Sequence, residues 1–326
     1  MNVGRHEHTA SYLSNGKILV TGGIYNASIP NVAELYDTST GLWTTTGIMN
    51  DIRHGHIAVI LSSGKVLVAG GYNGSEFLNT AELYDPSTGM WTMTGSMRDG
   101  RNFAAGSILQ NGKVLICGGF YHKTYLDSAE IYDPSTEIWT TTNNMNDARN
   151  RHTASLLQNG QVLVTGGFAN REYLNSVELY DITKETWTPT SYMHDIRDGH
   201  TASVLSNGNV LVTGGFYGSE AHDNTELYDP STSSWKSTDK MNNARHNHQA
   251  IVLRNGNVLV SGGSNGNGTL KSAELYDPLM KMWTKIDDMN YKREFHAACL
   301  LADGRVLMMG GFDGVGDLRG TELYNP

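Results

Sequence analysis

The sequence predicts an all-β fold, a seven-bladed β-propeller of four-stranded antiparallel blades whose last blade lacks its outermost strand. Three observations predict it. A Gly-Gly pair recurs at 22–23, 70–71, 118–119, 166–167, 214–215, 262–263 and 310–311, always 48 residues apart. Trp43, Trp91, Trp139, Trp187, Trp235 and Trp283 keep that period, as do seven tyrosines from Tyr36 to Tyr324 and the glutamates two residues before each, Glu34 to Glu322. No stretch shows the 3.6-residue apolar period of an amphipathic helix, so helix content is expected to be close to nil.

Each period reads as four short strands, a to d, and the fourth repeat shows how. Residues 152–157 form strand a. Asn159-Gly160 follows as a tight turn, expected to be type I′, and Asn-Gly, Ser-Gly or Asp-Gly stands there in every repeat. Residues 162–165 (Val-Leu-Val-Thr) form strand b, an apolar run of the kind buried on both faces. Gly166-Gly167 then lets the backbone turn where a Cβ would clash. Strand c (residues 177–180), a turn centred on Asp181, and strand d around Trp187-Thr188 complete the unit.

A sheet this small cannot shield both faces alone. Copies must stack, and stacking about an axis makes a propeller, with the recurring Tyr and Trp filling the space between blades. One domain is therefore expected over residues 1–326, with repeats at about 1–48, 49–96, 97–144, 145–192, 193–240, 241–288 and 289–326. The seventh repeat reaches Tyr324-Asn325-Pro326 without a strand d. Its strand c is expected to be an exposed edge, and ring closure to rest on side-chain packing between blades 7 and 1. The chain is expected to be a monomer unless that edge pairs with another chain.

Charge and composition narrow the partners. Asp and Glu (33) outnumber Lys and Arg (24), a balance that argues against nucleic acid, whose binding draws on a basic patch. No apolar run approaches the ~20 residues of a membrane helix, so no membrane partner is expected. Cys117 and Cys299 lie in apolar strand-like stretches of different repeats and read as buried free thiols. Sparse cysteine favours a reducing, cytoplasmic setting, while Asn-x-Ser/Thr triplets at Asn26, Asn73 and Asn267 point the other way, so localisation stays open.

In all seven units the Gly-Gly doublet follows an apolar strand, with Glu-Leu-Tyr-Asp-Pro or a close variant after it. In six of them a Trp comes six or seven residues later. The chain thus resembles the Kelch repeat over essentially its whole length. Kelch propellers include peptide-binding adaptors, actin-associated proteins and a few enzymes, so the resemblance implies the fold more sharply than the function.

Differences among the repeats indicate where function sits. The a–b and c–d turns are nearly uniform, whereas the b–c loops vary and are rich in aromatic residues: Tyr25, Tyr72, Phe77, Tyr121, His122, Tyr125, Arg171, Tyr173 and Tyr217 are candidate contacts. The d–a segment carries Arg5 and its six equivalents up to Arg293, a regularity that reads as structural pairing with the recurrent glutamates or with backbone carbonyls. Two residues later the register varies, through Glu7, Gly55, Phe103, Arg151, Gly199, Asn247 and Phe295. Adaptor-type Kelch domains use arginines at this place to hold acidic peptides, so the resemblance singles out Arg151, with Phe103 and Phe295 as apolar neighbours. Histidines follow in every blade but the third, where Ala104 stands; they come from separate blades and share no carboxylate or Cys in their register, and no metal site is expected.

No paired carboxylates, nucleophile–base pair or phosphate loop stands out, and the Tyr–Cys cross-link of the Kelch-type copper radical oxidases has no loop cysteine to form it. The expectation is a non-enzymatic module without cofactor. It would bind a protein or peptide segment, acidic by the resemblance, on the face of the b–c and d–a loops around the central channel. The alternatives are a glycan-binding propeller and, less favoured, a galactose-oxidase-like enzyme.

Overall fold

In the computed structural model, which describes residues 1–326, the chain forms thirty-three strands and no helix. Strand a runs from Thr9–Tyr12 in blade 1 to Ala297–Leu300 in blade 7, strand b from Lys17–Thr21 to Val306–Met309, and strand c from Val32–Asp37 to Thr321–Tyr324. Strand d runs from Leu42–Ile48 in blade 1 to Met282–Lys285 in blade 6, and blade 7 has none. Within each blade the order is a-b-c-d, antiparallel throughout. In blade 4, Val162 pairs with Tyr180 and Tyr180 with Trp187.

The a–b turns depart from type I′. The Gly160 N–H donates to Leu157 O at 3.0 Å and the Leu157 N–H to Gln161 O at 2.8 Å, and of the turn residues Gly160 alone has a positive φ, 87°. This is a three-residue loop, a type I turn closed by a glycine bulge. Asn159 is there for its side chain, whose Oδ1 accepts the Gln161 N–H at 3.0 Å. Asn, Asp and Ser can all do this, which explains the variation at that position.

Strand b is buried along its length in every blade, and the core lies between blades. Val162, Val164 and Tyr180 of blade 4 pack against Leu115 and Ile131 of blade 3, with Met145 in the same cluster. In blades 1 to 6 the Tyr of strand c leans on the Trp of its own strand d at 4.8–5.1 Å between ring centres. The Tyr180 hydroxyl then meets Thr142 of the preceding blade at 2.8 Å, and the Trp187 Nε1–H donates to Asn143 O at 2.8 Å.

The conserved-spacing arginine joins two blades from a fully buried position. Arg149 Nη2 donates to Glu178 Oε1 at 2.9 Å, and its Nη1 to Gly166 O at 2.8 Å. Glu178 also accepts the N–H groups of Asn146 and Asp147 at 2.7 and 3.1 Å. The backbone of Arg149 faces the other way, its carbonyl accepting the Gly119 N–H of blade 3 at 2.8 Å. That approach requires the Gly-Gly pair. Gly118 has φ 64°, and a Cβ there would stand 2.4 Å from Arg149 O. The Arg–Glu pair recurs in all seven blades at 2.5–2.9 Å, as expected.

Two residues beyond each arginine the chain enters the left-handed region, with φ between 51° and 60° at Glu7, Gly55, Phe103, Arg151, Gly199, Asn247 and Phe295. Their peptide groups form a closed circle, each N–H donating to the carbonyl of the equivalent residue in the preceding blade. Glu7 completes it by donating to Phe295 O at 3.1 Å. Arg5 N–H also donates to Leu318 O at 3.2 Å, and Gly311 N–H to Arg5 O at 2.8 Å. Closure between blades 7 and 1 therefore uses the same backbone bonds as every other junction, in addition to the expected side-chain packing.

Trp139 is 9 % exposed and shares a core cluster with Ala81 and Leu83 of blade 2 and with Met97. Trp139→Ala is expected to destabilise the fold by roughly 3–5 kcal/mol, read from denaturant melts; a loss below about 1 kcal/mol would remove this ring from the core.

Candidate functional site

The b–c loops and d–a segments share one face because each d–a segment bridges to its own blade's b–c loop: Asn102 to Phe120, Asn150 to Phe168 and Asp198 to Phe216. In blades 3, 4 and 5 the b–c loop folds into a small hairpin, Phe120–Tyr121 with Thr124–Tyr125, Phe168–Ala169 with Glu172–Tyr173, and Phe216–Tyr217 with Glu220–Ala221. Asn170 and Arg171 make the tip of the second one, both at positive φ (52° and 70°). The hairpin register sets Phe120 opposite Tyr125 and Phe168 opposite Tyr173, and blade 2 bridges Tyr72 to Phe77.

These pairs join into one belt. From Tyr72 the rings run through Phe77, Phe120, Tyr125, Phe168 and Tyr173 to Phe216, each centroid 4.8–6.1 Å from the next. The edge-on and tilted angles are those that aromatic quadrupoles favour. Inside the belt lies a groove of about 470 Å³, lined by the rings from Tyr72 to Tyr173 together with Asn102, Phe103, Asn150, Arg151 and Asp198. The Arg151 guanidinium stands over the Phe103 ring at 4.6 Å, a cation–π contact that holds it between the groove and the channel mouth.

The sequence reading missed one ring of residues. The position directly after each arginine carries His6, His54, Asn102, Asn150, Asp198, His246 and Glu294, and it faces the b–c loops. Its signal was present as a second variable register beside the one that was read. Asp198 is its most unusual member. It is 9 % exposed, its carboxylate has no hydrogen-bond or ion-pair partner, and burial pushes its pKa up to about 6 against the opposing pull of Arg151. Burial also lowers the pKa of His246, with Arg151 adding to the effect, and raises that of Tyr173. Both are neutral at pH 7. Asn102 and Asn150 keep buried Oδ1 atoms without donors.

The other expected contacts are spread around this groove. Tyr121 and His122 flank Phe77 at 6.1 and 5.4 Å, and Tyr217 stands 5.5 Å from Tyr173, all three exposed on the outer rim. Arg171 is exposed at its hairpin tip. Tyr25 lies on the seam between blades 1 and 7, accepting a hydrogen bond from Arg319 at 2.9 Å, and Phe295 faces the channel mouth near Glu7 and Asn247. So Arg151, Phe103, Tyr72, Phe77, Tyr125 and Tyr173 come together, while Tyr25, Arg171 and Phe295 do not join them.

Most of the histidine ring is explained by its neighbours; His8, which faces blade 7, has no partner for either ring nitrogen. His200 Nε2 bonds the Thr153 and Thr165 hydroxyls of the preceding blade at 3.3 and 2.9 Å, and His56, His248 and His296 find hydroxyls in the same way. His152 faces Cys117 Sγ at 3.6 Å. In blade 2 the partner position is Ala69, and the histidine facing it is replaced by Ala104. Burial lowers the pKa of these imidazoles far enough, to about 3 at His200, that they stay neutral. No group of three His, Cys, Asp or Glu side chains is arranged to hold a metal ion.

Because its folded pKa is raised, Asp198 favours folding fully only below its unfolded pKa, and loses that contribution as pH rises toward 6. Above pH 6 the buried charge destabilises the protein. Asp198→Asn is therefore expected to raise the unfolding free energy at pH 7.5 by about 2–3 kcal/mol, with the gain vanishing by about pH 4. Melts across that range check it, and a pH-independent difference would contradict it.

The comparisons with known proteins agree with this architecture. The family model for the Attractin/LZTR1 beta-propeller matches residues 1–225, and that for the KLHDC2/KLHL20/DRC7 Kelch-repeats domain matches residues 140–311. No curated protein matches the sequence. Among solved structures, a fungal alcohol oxidase of the AA5 family in complex with copper is similar at TM-score 0.82 and 17% identity, over 99% of this chain and 74% of the oxidase. At that identity the likeness is one of fold. The repeats, the seven blades and family matches that each span more than half of the chain lead to one conclusion: the protein belongs to the Kelch-repeat β-propeller family.

Proposed function

We propose that this chain is a non-catalytic interaction module that captures an extended protein segment in the aromatic groove of blades 2 to 5. The observation that carries the reading is the unbroken belt from Tyr72 to Phe216 with Arg151 at its inner side. These rings are only part-buried and lie outside the inter-blade core, so folding does not account for them. Aromatic residues that close on a cation at a concave surface are the usual anchors of binding energy. Arg151 would meet a carboxylate or a backbone carbonyl of the segment, the role that the resemblance to adaptor-type Kelch domains implied for an acidic peptide.

The oxidase reading finds less support. Cys117 lies in strand b of blade 3 and Cys299 in strand a of blade 7, both buried, with thiols pushed up to about 12 by burial. Neither borders the aromatic groove.

Peptide and glycan arrays probed with the purified protein test the proposal. Peptides are expected to give the signal. Arg151→Ala, and a Tyr125→Ala/Tyr173→Ala double variant, are each expected to weaken it at least tenfold, about 1.4 kcal/mol, with melting unchanged. Normal binding by both variants would refute the site, and a signal confined to glycans would make the groove a sugar site.

A further inference from the structure

We infer that the groove holds a cationic side chain of the captured segment, an alkylammonium such as lysine, with Asp198 as its counter-ion and Tyr125, Phe168 and Tyr173 as its aromatic walls. This rests on the groove being the binding site and adds the chemistry of what enters it.

The main observation is an unpaired charge. The recurrent strand-c glutamates are held by arginine and by backbone N–H groups, as a buried carboxylate requires. Asp198 is nearly as buried, lines the groove, and has no partner at all. Arg151, whose charge acts on Asp198, is held over Phe103 and forms no ion pair with it. The two groups that face this corner from neighbouring elements, Tyr173 from the b–c hairpin of blade 4 and His246 from the d–a segment of blade 6, supply no positive charge at pH 7. The equivalent positions in blades 3 and 4 are Asn102 and Asn150, so the scaffold does not need an acid there.

A carboxylate kept in an unfavourable place at the end of an aromatic groove is matched by a cation from outside. The arriving charge has the Asp198 carboxylate to pair with and ring faces to lie against, and both attractions strengthen as water is displaced. The stem of a lysine is apolar and suits walls of Phe and Tyr, and a groove of about 470 Å³ has room for it. Binding also draws the Asp198 pKa down from about 6, so uptake of the cation releases protons near that pH.

Calorimetric and NMR titrations of the whole chain with the peptide acetyl-Gly-Ser-Lys-Ser-Gly-amide and its norleucine counterpart at pH 7.5 test this. The lysine peptide is expected to bind at least about tenfold more tightly, the scale of one buried charge pair. In Asp198→Asn the difference is expected to fall below about threefold. Resonances of Tyr125 and Tyr173 are expected to move on titration. Equal binding of the two peptides, with both lost in the Tyr125→Ala/Tyr173→Ala variant, overturns the cation reading and leaves the groove standing. No shift of the groove resonances with either peptide overturns both. A lysine preference that survives Asp198→Asn overturns the role of Asp198. Binding of n-butylammonium as tight as that of the lysine peptide overturns a protein segment as the source of the cation.

Discussion

The buried Arg–Glu pair is the interaction on which the rest of this structure depends. Each arginine is out of contact with water, and its glutamate is its counter-charge and also the acceptor for two backbone N–H groups of the segment entering the blade. Charges this deep are tolerable only when paired and hydrogen-bonded; both terminal nitrogens of each arginine are used, while its Nε–H finds no partner, and removing either charge strands the other. The pair therefore fixes the path of the d–a segment, not just its proximity to the blade. With that path set, the arginine carbonyl reaches the Gly-Gly pair of the preceding blade, and the residue two places later takes the left-handed turn that joins the inner ring.

That inner ring links fold to function. Seven peptide groups bond head to tail around the axis, so the ring itself does not depend on the side chains of Glu7, Phe103, Arg151, Asn247 and Phe295 at the mouth of the channel, although Glu7 pairs with His54 and Arg151 lies over Phe103. The residue just before each ring member is likewise fixed by its backbone, through a bridge to the b–c loop, while its side chain ranges from paired, as His6 with Asp317 and His54 with Glu7, to unpartnered, as Asp198. Two neighbouring positions per blade can thus vary at little cost to the scaffold. Asp198 shows the limit of that tolerance, since its raised pKa is expected to lower stability at neutral pH, and residues kept at such a cost belong to sites more often than to cores.

The fold was legible because its determinants are local and repeated. Gly-Gly, Glu-x-Tyr and Trp recur at a fixed step, and a period of that length allows few architectures. The pairing of each arginine with a glutamate could be foreseen from their equal recurrence, and so could the missing strand d of blade 7. The a–b turn could not. Asn-Gly suits a type I′ turn and a glycine bulge alike, and the choice depends on a side-chain hydrogen bond that spacing does not reveal. At the site, Arg151, Phe103 and the loop aromatics stood out as variation within an otherwise uniform repeat. Asp198 was hidden because its character comes from burial without a partner, and burial depends on the neighbouring b–c hairpins rather than on its own repeat.

Native-state hydrogen exchange on the wild type and on Glu178→Gln tests most directly whether the charge pair governs the ring. If it does, the substitution accelerates exchange at Asn146 or Asp147, one of which then faces an amide NH2 in place of an acceptor, and also at Arg151 and Gly199 on the inner circle, and lowers global stability by about 3–5 kcal/mol. Unchanged protection at Arg151 and Gly199, with a stability loss below about 1 kcal/mol, would mean that apolar packing between blades positions the d–a segment and that the charge pair merely accompanies it.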